Sequence, residues 1–317
     1  MVGGYNLTID MTCYHPLTAN RLKDGRIVFR PAVKDEILIT ELKLPCGRCV
    51  GCLDRRAQEW SVRCMHEASL WSRNCVITLT YDDAHLPSYG ALHYKHFQLF
   101  FKRLRKKFSG FDQVDGDFPI RFYMCGEYGS KLGRPHYHAC IFNFDFLDKT
   151  FFFKSPSGAL IYRSAALELL WPFGHSSVGE LTHGSASYIA RYVGKKQFGT
   201  FAEDYYVKLN PMTGELVDIP PEYNKMSLKP GIGRLWYDRF KSEVYPVDQV
   251  IIKGRPCKPP RYYDKLFKSE DASAFDAVAI SRIRRAQLRA SESTPERLAV
   301  RETVHKARLN QLPRSLK

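Results

Sequence analysis

Two short stretches hold the residues best suited to do chemistry. Gly133-Arg-Pro-His-Tyr-His-Ala139 carries His136 and His138, two positions apart. Tyr188-Ile-Ala-Arg-Tyr-Val-Gly-Lys-Lys196 carries Tyr188 and Tyr192, four apart. On a strand, residues i and i+2 point the same way, so two imidazoles at this spacing can converge on one ion. On a helix, residues i and i+4 stack, so the two phenols share a face. Each signal alone is weak: a lone His-x-His is more often a surface or packing pair, and tyrosines at helical spacing more often pack. Together they are the parts for metal-assisted attack of a tyrosine on a DNA phosphodiester.

A third ligand is at hand. Glu127 ends the preceding segment Cys125-Gly-Glu-Tyr-Gly129, and a hairpin would return it beside the histidines; it could equally be a solvated turn residue. Two imidazoles and one carboxylate with positions left open suit Mg²⁺ or Mn²⁺ acting on a phosphate. On the tyrosine helix, Ala186, Ile189, Ala190 and Val193 supply a buried face. Tyr188, Tyr192, Lys195 and Lys196 are then left for a polar, anionic partner, with Arg191, Lys195 and Lys196 as phosphate contacts.

The elements that must position these groups are legible from periodicity. Ile120–Cys125 and Tyr137–Phe142 read as strands around a glycine-rich turn, with Pro135 at a strand's start, where a missing N–H is tolerated. Cys75–Tyr81 is a further strand, and Ser176–Leu181 a short one. The helix Lys95–Phe108 is amphipathic, with Phe97, Phe100, Phe101, Leu104 and Phe108 on one side. Lys102, Arg103 and Lys106 are on the other, a charge run that is usually solvated yet can track a DNA backbone. Helices are also expected over Asp54–Trp71, with Asp54 as N-cap, near Ser164–Leu170, around Arg234–Lys241, and from Ala272 onward with a break at Pro295. This order predicts an α+β fold: an antiparallel sheet presenting the histidines, helices packed behind, and the tyrosine helix across the open face. Three stretches are expected: an N-terminal segment 1–74 with the cysteine cluster, a core 75–200, and a basic accessory region 201–317.

Nine cysteines, with no secretory signal in the sequence, argue against a disulfide framework. Cys46, Cys49 and Cys52 follow a Cys-x-x-Cys-x-x-Cys spacing. An iron–sulfur motif would want a fourth cysteine soon after, followed by proline, and Leu53-Asp-Arg-Arg56 stands there instead. Structural Zn²⁺ needs a fourth ligand, which Cys13 or His15 could supply; packed, reduced thiols are the other reading. Cys64 shares an apolar helix face with Ala57, Trp60, Ala68 and Trp71 and belongs to the core.

A net charge of +15 and a pI near 9.4 fit an anionic partner, nucleic acid being the commonest, although charge alone is equally compatible with an ordinary basic protein. No run of eighteen apolar residues occurs, so no membrane span is expected and the protein should be intracellular. Nor is there a Gly-x-x-x-x-Gly-Lys-Ser/Thr loop, so unwinding would fall to another protein.

The His-x-His strand, the upstream Gly-Glu-Tyr-Gly, the Tyr-x-x-x-Tyr-x-x-Lys-Lys helix and the strand Ile77-Thr-Leu-Thr-Tyr-Asp-Asp83 resemble the motifs of HUH-superfamily rolling-circle replication initiators. More closely, the chain resembles the replication initiation proteins of gokushoviruses, small single-stranded DNA phages of the microvirus group. That likeness runs from Cys13-Tyr-His-Pro-Leu17 through Pro45-Cys-Gly-Arg-Cys-Val-Gly-Cys52 to Cys257-Lys-Pro-Pro-Arg-Tyr-Tyr-Asp264. The resemblance implies an HUH endonuclease-like sheet, an ion held by Glu127, His136 and His138, and Tyr188 and Tyr192 as nucleophiles. It also implies nicking of origin DNA, a covalent 5′-phosphotyrosine, and rejoining of the displaced strand into a circle. The partners would be single- and double-stranded origin DNA, with a host helicase and DNA polymerase, in the cytoplasm of a bacterial host. Two other classes compete: a non-catalytic, zinc-stabilised DNA-binding protein whose tyrosines stack on bases, and a zinc hydrolase of small phosphoesters.

Overall fold

In this computed structural model, residues 13–30, 38–108, 115, 118–129, 132–191, 205–210 and 212–311 are described. The strands run in chain order as β1 (Leu17–Leu22), β2 (Ile27–Val28), β3 (Leu38–Leu44), β4 (Asn74–Tyr81), β5 (Arg121–Tyr128), β6 (Pro135–Phe142) and β7 (Thr150–Lys154). They continue as β8 (Leu160–Arg163), β9 (Gly174–Glu180), β10 (Val207–Leu209), β11 (Leu216–Asp218), β12 (Tyr223–Met226), β13 (Val250–Ile252) and β14 (Arg255–Cys257). The helices are α1 (Val50–Ala68), α2 (Tyr94–Phe108), α3 (Ala165–Leu170), α4 (His183–Arg191), α5 (Arg234–Val244), α6 (Arg261–Glu270), α7 (Ala272–Gln287) and α8 (Pro295–Gln311). Seven antiparallel strands in the order β12-β5-β6-β4-β9-β8-β7 form the main sheet. Smaller pairings join β1 with β2 and β3, β10 with β11, and β13 with β14. The expected α+β architecture, an antiparallel sheet with packed helices, is present.

Strand alternation sorts the core into two layers. Ile77, Leu79, Tyr81, Met124, Tyr137, Ala139, Ile141 and Val178 face one way and pack on Phe97, Phe100, Phe101 and Leu104 of α2 and Leu167 and Leu170 of α3. Val76, Tyr123, Cys125, Cys140 and Phe142 face the other way, against Ala57, Cys64 and Ala68 of α1 and Ala186, Ile189 and Ala190 of α4. With both faces covered, β6 is buried at every position. Arg121 and Glu67, both buried, pair at 2.8 Å and tie α1 to β5. The cost of burying two charges is offset only by such close pairing.

Local signals explain most element ends. Ser164 caps α3, its hydroxyl accepting the Leu167 N–H at 3.1 Å. Proline opens α8 at a position where its missing N–H costs nothing. Asp54 is not the N-cap of α1. The helix begins at Val50, and the Leu53 amide already donates to the Cys49 carbonyl at 3.0 Å, so Asp54 lies inside it.

The chain divides into two compact units. One comprises residues 1–56, 248–259 and 264–312, the other 57–247, 260–263 and 313–317. The sequence division at 74 and 200 is therefore cut differently. The main sheet spans residues on both sides of 200, and the N-terminal cysteine segment belongs with the C-terminal helices rather than forming a stretch of its own.

Candidate active site

Register places the ligands. Glu127 of β5 is the direct cross-strand partner of His136 of β6, and Cys125 that of His138. On the other side of β6, Thr80 of β4 pairs with His136 and Thr78 with His138. Directly paired residues project from the same face of a sheet, so Glu127, His136, His138, Thr78 and Thr80 all lie on the α1/α4 face. The hairpin that was expected to return Glu127 beside the histidines does so.

The threonines fix the rings. The Thr80 hydroxyl is 2.9 Å from His136 Nδ1, and the Thr78 hydroxyl is 2.9 Å from His138 Nδ1. Both imidazoles therefore turn Nε2 toward the site. His138 Nε2 is 3.1 Å from Glu127 Oε1, and the two histidine rings are 6.4 Å apart between centroids. Glu127, His136 and His138 are all buried, with exposures of 3%, 5% and 2%. Gly129 closes one side: a Cβ there would sit 2.8 Å from His136 Nε2, so only hydrogen fits.

The helix α4 brings one phenol to this group. Ala186, Ile189 and Ala190 are its buried apolar side, as the sequence pattern requires. Half-buried Tyr188 presents its ring edge-on to His138, with centroids 5.8 Å apart at 84°. A tyrosine, two imidazoles and a carboxylate thus share one face of one sheet.

Known proteins bear on this constellation. The family model for replication-associated protein ORF2 matches residues 74–197, a span that contains β4, β5, β6 and α4. Replication-associated protein VP4 of Bdellovibrio phage phiMH2K is 32% identical over 259 residues, covering 81% of this chain and 78% of the relative. Replication-associated protein ORF2 of Spiroplasma virus 4 is 33% identical over 286 residues, covering 84% and 83%. Replication-associated protein ORF4 of Chlamydia phage 1 is 31% identical over 254 residues, covering 76% of this chain and 58% of its own length. No solved structure matches.

The chain belongs to this family of phage replication-associated proteins. Of the residues singled out in the sequence of this replication-associated protein, Tyr192, Lys195 and Lys196 lie outside the described residues. Arg191 is exposed at the end of α4. Lys102 and Lys106 are exposed on α2, whereas half-buried Arg103 spends its guanidinium on the Leu170 carbonyl, at 3.1 and 2.7 Å, closing the end of α3. Because α2 packs on the sheet face opposite the histidines, its charges cannot touch a phosphate held at the histidines.

The cysteines form a second, separate group. Among the described residues, Cys13, Cys46, Cys49 and Cys52 bring their sulfurs mutually within 4.8 Å, a set able to hold a metal ion. Burial alone would raise the Cys46 thiol, but hydrogen bonds from the Arg48 and Cys49 amides outweigh it and bring the group down to about 7. Of the two fourth ligands left open by the sequence, the structure takes Cys13; His15 pairs instead with Glu302 at 2.9 Å. Cys64 is fully buried in the core, as its helix face predicts. Sequence reasoning passed over Thr78 and Thr80. Their signal was there, two hydroxyls at strand spacing in Ile77-Thr-Leu-Thr-Tyr81, but the pairing that aims them at the histidines was not.

Proposed function

We propose that this replication-associated protein initiates rolling-circle replication by nicking origin DNA with a tyrosine and later rejoining the displaced strand. The observation that carries the reading is Tyr188 set edge-on to His138 on the sheet face that also holds His136 and Glu127. Family membership supports the replication role.

The donor set suits Mg²⁺ or Mn²⁺: nitrogen and oxygen ligands from Glu127, His136 and His138, too few to close a coordination sphere. When bound, such an ion would neutralise charge on a nonbridging phosphate oxygen. The chain's own residues do the rest. Thr78 and Thr80 hold the two rings through Nδ1. A hydroxyl can donate or accept, so each threonine can hold its ring in either tautomer. His138 Nε2–H donates to Glu127 Oε1; with Nε2 given to a ligand instead, Nδ1–H would donate to Thr78. Burial excludes water that would otherwise compete with the phenol for phosphorus.

The step balances as a transesterification. The tyrosine oxygen bonds to phosphorus, the bond to the 3′ oxygen breaks, and the proton lost by the phenol is matched by one gained at the departing 3′-hydroxyl. The 3′ end is free to prime synthesis. Since the phosphodiester is exchanged rather than hydrolysed, the reverse reaction rejoins ends without a nucleotide. Tyr188 and Tyr192 would alternate, one holding a strand end while the other cuts the regenerated origin. Arg191, Lys195 and Lys196 would contact flanking phosphates, and Lys102 and Lys106 DNA further from the cut. Without a nucleotide-binding loop of the Gly-x-x-x-x-Gly-Lys-Ser/Thr kind, the protein would rely on a helicase and a polymerase of its bacterial host, in whose cytoplasm it would act.

The test is a nicking assay on supercoiled plasmid carrying the origin, with Mg²⁺ or Mn²⁺, followed by peptide mapping of the protein–DNA adduct. The adduct should sit on Tyr188 or Tyr192. The double variant Tyr188→Phe, Tyr192→Phe should bind the plasmid and form none, because the change removes the nucleophile and keeps the ring. Binding without any adduct in the wild type would leave a non-catalytic DNA-binding protein. Release of phosphate from small esters, with no adduct, would leave a hydrolase.

A further inference from the structure

We infer that Cys13, Cys46, Cys49 and Cys52 hold a structural Zn²⁺, and that this ion fixes the segment onto which the helix α8 is seated. The inference is independent of the nicking reading, since all the residues it uses belong to the unit containing the N-terminal segment and the C-terminal helices.

Tetrahedral zinc with bonds of about 2.3 Å puts its sulfurs roughly 3.8 Å apart. The Cys49 and Cys13 sulfurs are 3.9 Å apart, and all four lie within 4.8 Å of one another. A disulfide would need about 2 Å, and a multinuclear cluster would hold its cysteines further apart. Backbone amides already point at the sulfurs as they do at thiolates. Tyr14 N donates to Cys49 Sγ at 3.3 Å, Cys46 N to Cys13 Sγ at 3.2 Å, and Cys49 N to Cys46 Sγ at 3.3 Å. Gly47 makes the turn between Cys46 and Cys49 with φ of +77°, a conformation that side-chain-bearing residues rarely adopt. Nitrogen and oxygen donors are absent from the set, which favours zinc over the hard ions suited to the histidine site.

The neighbours of these cysteines grip α8. Tyr14, next to Cys13, meets His305 edge-on, and its hydroxyl is 2.9 Å from His305 Nδ1. The other nitrogen of His305 is 3.3 Å from Asp54 Oδ2, two residues after Cys52. His15 Nε2 reaches Glu302 at 2.9 Å. Glu302 and His305 are one turn apart, so one face of α8 reads the residues beside Cys13 and Cys52 together. Without an ion to hold Cys13 to the start of α1, that composite surface has no fixed shape.

Purified full-length protein should contain about one zinc per chain, and Co²⁺ exchanged into it should show the absorption of a tetrahedral thiolate site. Cys49→Ser should lose the metal. Hydrogen exchange over residues 295–311 should then speed up by about tenfold or more, while exchange over 121–142 in the main sheet stays unchanged. Should Cys49→Ser fail to fold, stripping zinc from the wild type with a strong chelator supplies the same readout. Folded wild type without zinc, or with iron in its place, overturns the metal assignment. Zinc whose removal leaves 295–311 protected overturns the link to α8.

Discussion

The sheet site and the cysteine group are both sets of metal-capable side chains, and they differ in every property that matters for use. The cysteines offer four soft ligands, drawn together from a turn, a helix start and a distant segment, and four ligands complete a zinc tetrahedron. The sheet offers two imidazoles and a carboxylate on rigid neighbouring strands, with a tyrosine beside them and positions left over for a substrate. A closed set stores folding energy; an open one leaves room for chemistry. The difference teaches that ligand number and supporting element, more than ligand proximity, separate a structural centre from a reactive one.

The contrast breaks most visibly if the sheet ligands turn out to be structural. His136→Ala or His138→Ala should lower cleavage by roughly a thousandfold, since the charge stabilisation lost is several kcal/mol and each 1.36 is tenfold. Circular dichroism and zinc content should stay as in the wild type. Loss of zinc in these variants would merge the two centres into one.

A smaller effect tests the supports rather than the ligands. Thr78→Val and Thr80→Val keep the shape and remove the hydroxyls that hold Nδ1. Each should weaken Mn²⁺ affinity, measured by titration calorimetry, by about 10–100-fold. An unchanged affinity would mean packing alone orients the rings. Gly129→Ala should follow, with about a tenfold loss of cleavage at saturating Mn²⁺. Its new methyl meets His136 Nε2 at 2.8 Å, and the ring can yield only by giving up its bond to Thr80, worth about 1 kcal/mol. The least change is expected far from both centres. Lys102→Ala with Lys106→Ala should leave the cleavage rate of bound DNA alone and reduce the slope of log affinity against log salt by about 2. An unaltered slope would make those lysines plain solvated charge.

How much of this was legible in the sequence depended on the range of the contact. The strand pair bearing Glu127, His136 and His138 could be read because alternation and a glycine-rich turn are local signals, and the fold class followed from the order of elements. The apolar side of α4 and the buried face of α2 were visible for the same reason. Register between β4 and β6 was not, and with it went Thr78 and Thr80. Arg103 looked solvated because nothing local reveals that the Leu170 carbonyl, 67 positions away, would take its guanidinium. Asp54 looked like a cap because the cysteine turn that starts α1 four residues earlier resembles a loop. The choice between Cys13 and His15 needed Glu302, which lies 287 positions beyond His15.

Tyr14 and His305 meet across 291 positions, and that span governs the order of assembly. All four cysteines of the group are made by residue 52, and the strands β4 to β12 by residue 226. The contact with α8 must wait until residue 305 has left the ribosome. Closing so long a loop adds little to the equilibrium cost, about 0.6 kcal/mol for each doubling of length. Its weight is in timing: domains fold as units during synthesis. The thiols can capture their ion and the sheet can set its histidines while the chain is still growing, and the last helix then closes over a centre already loaded.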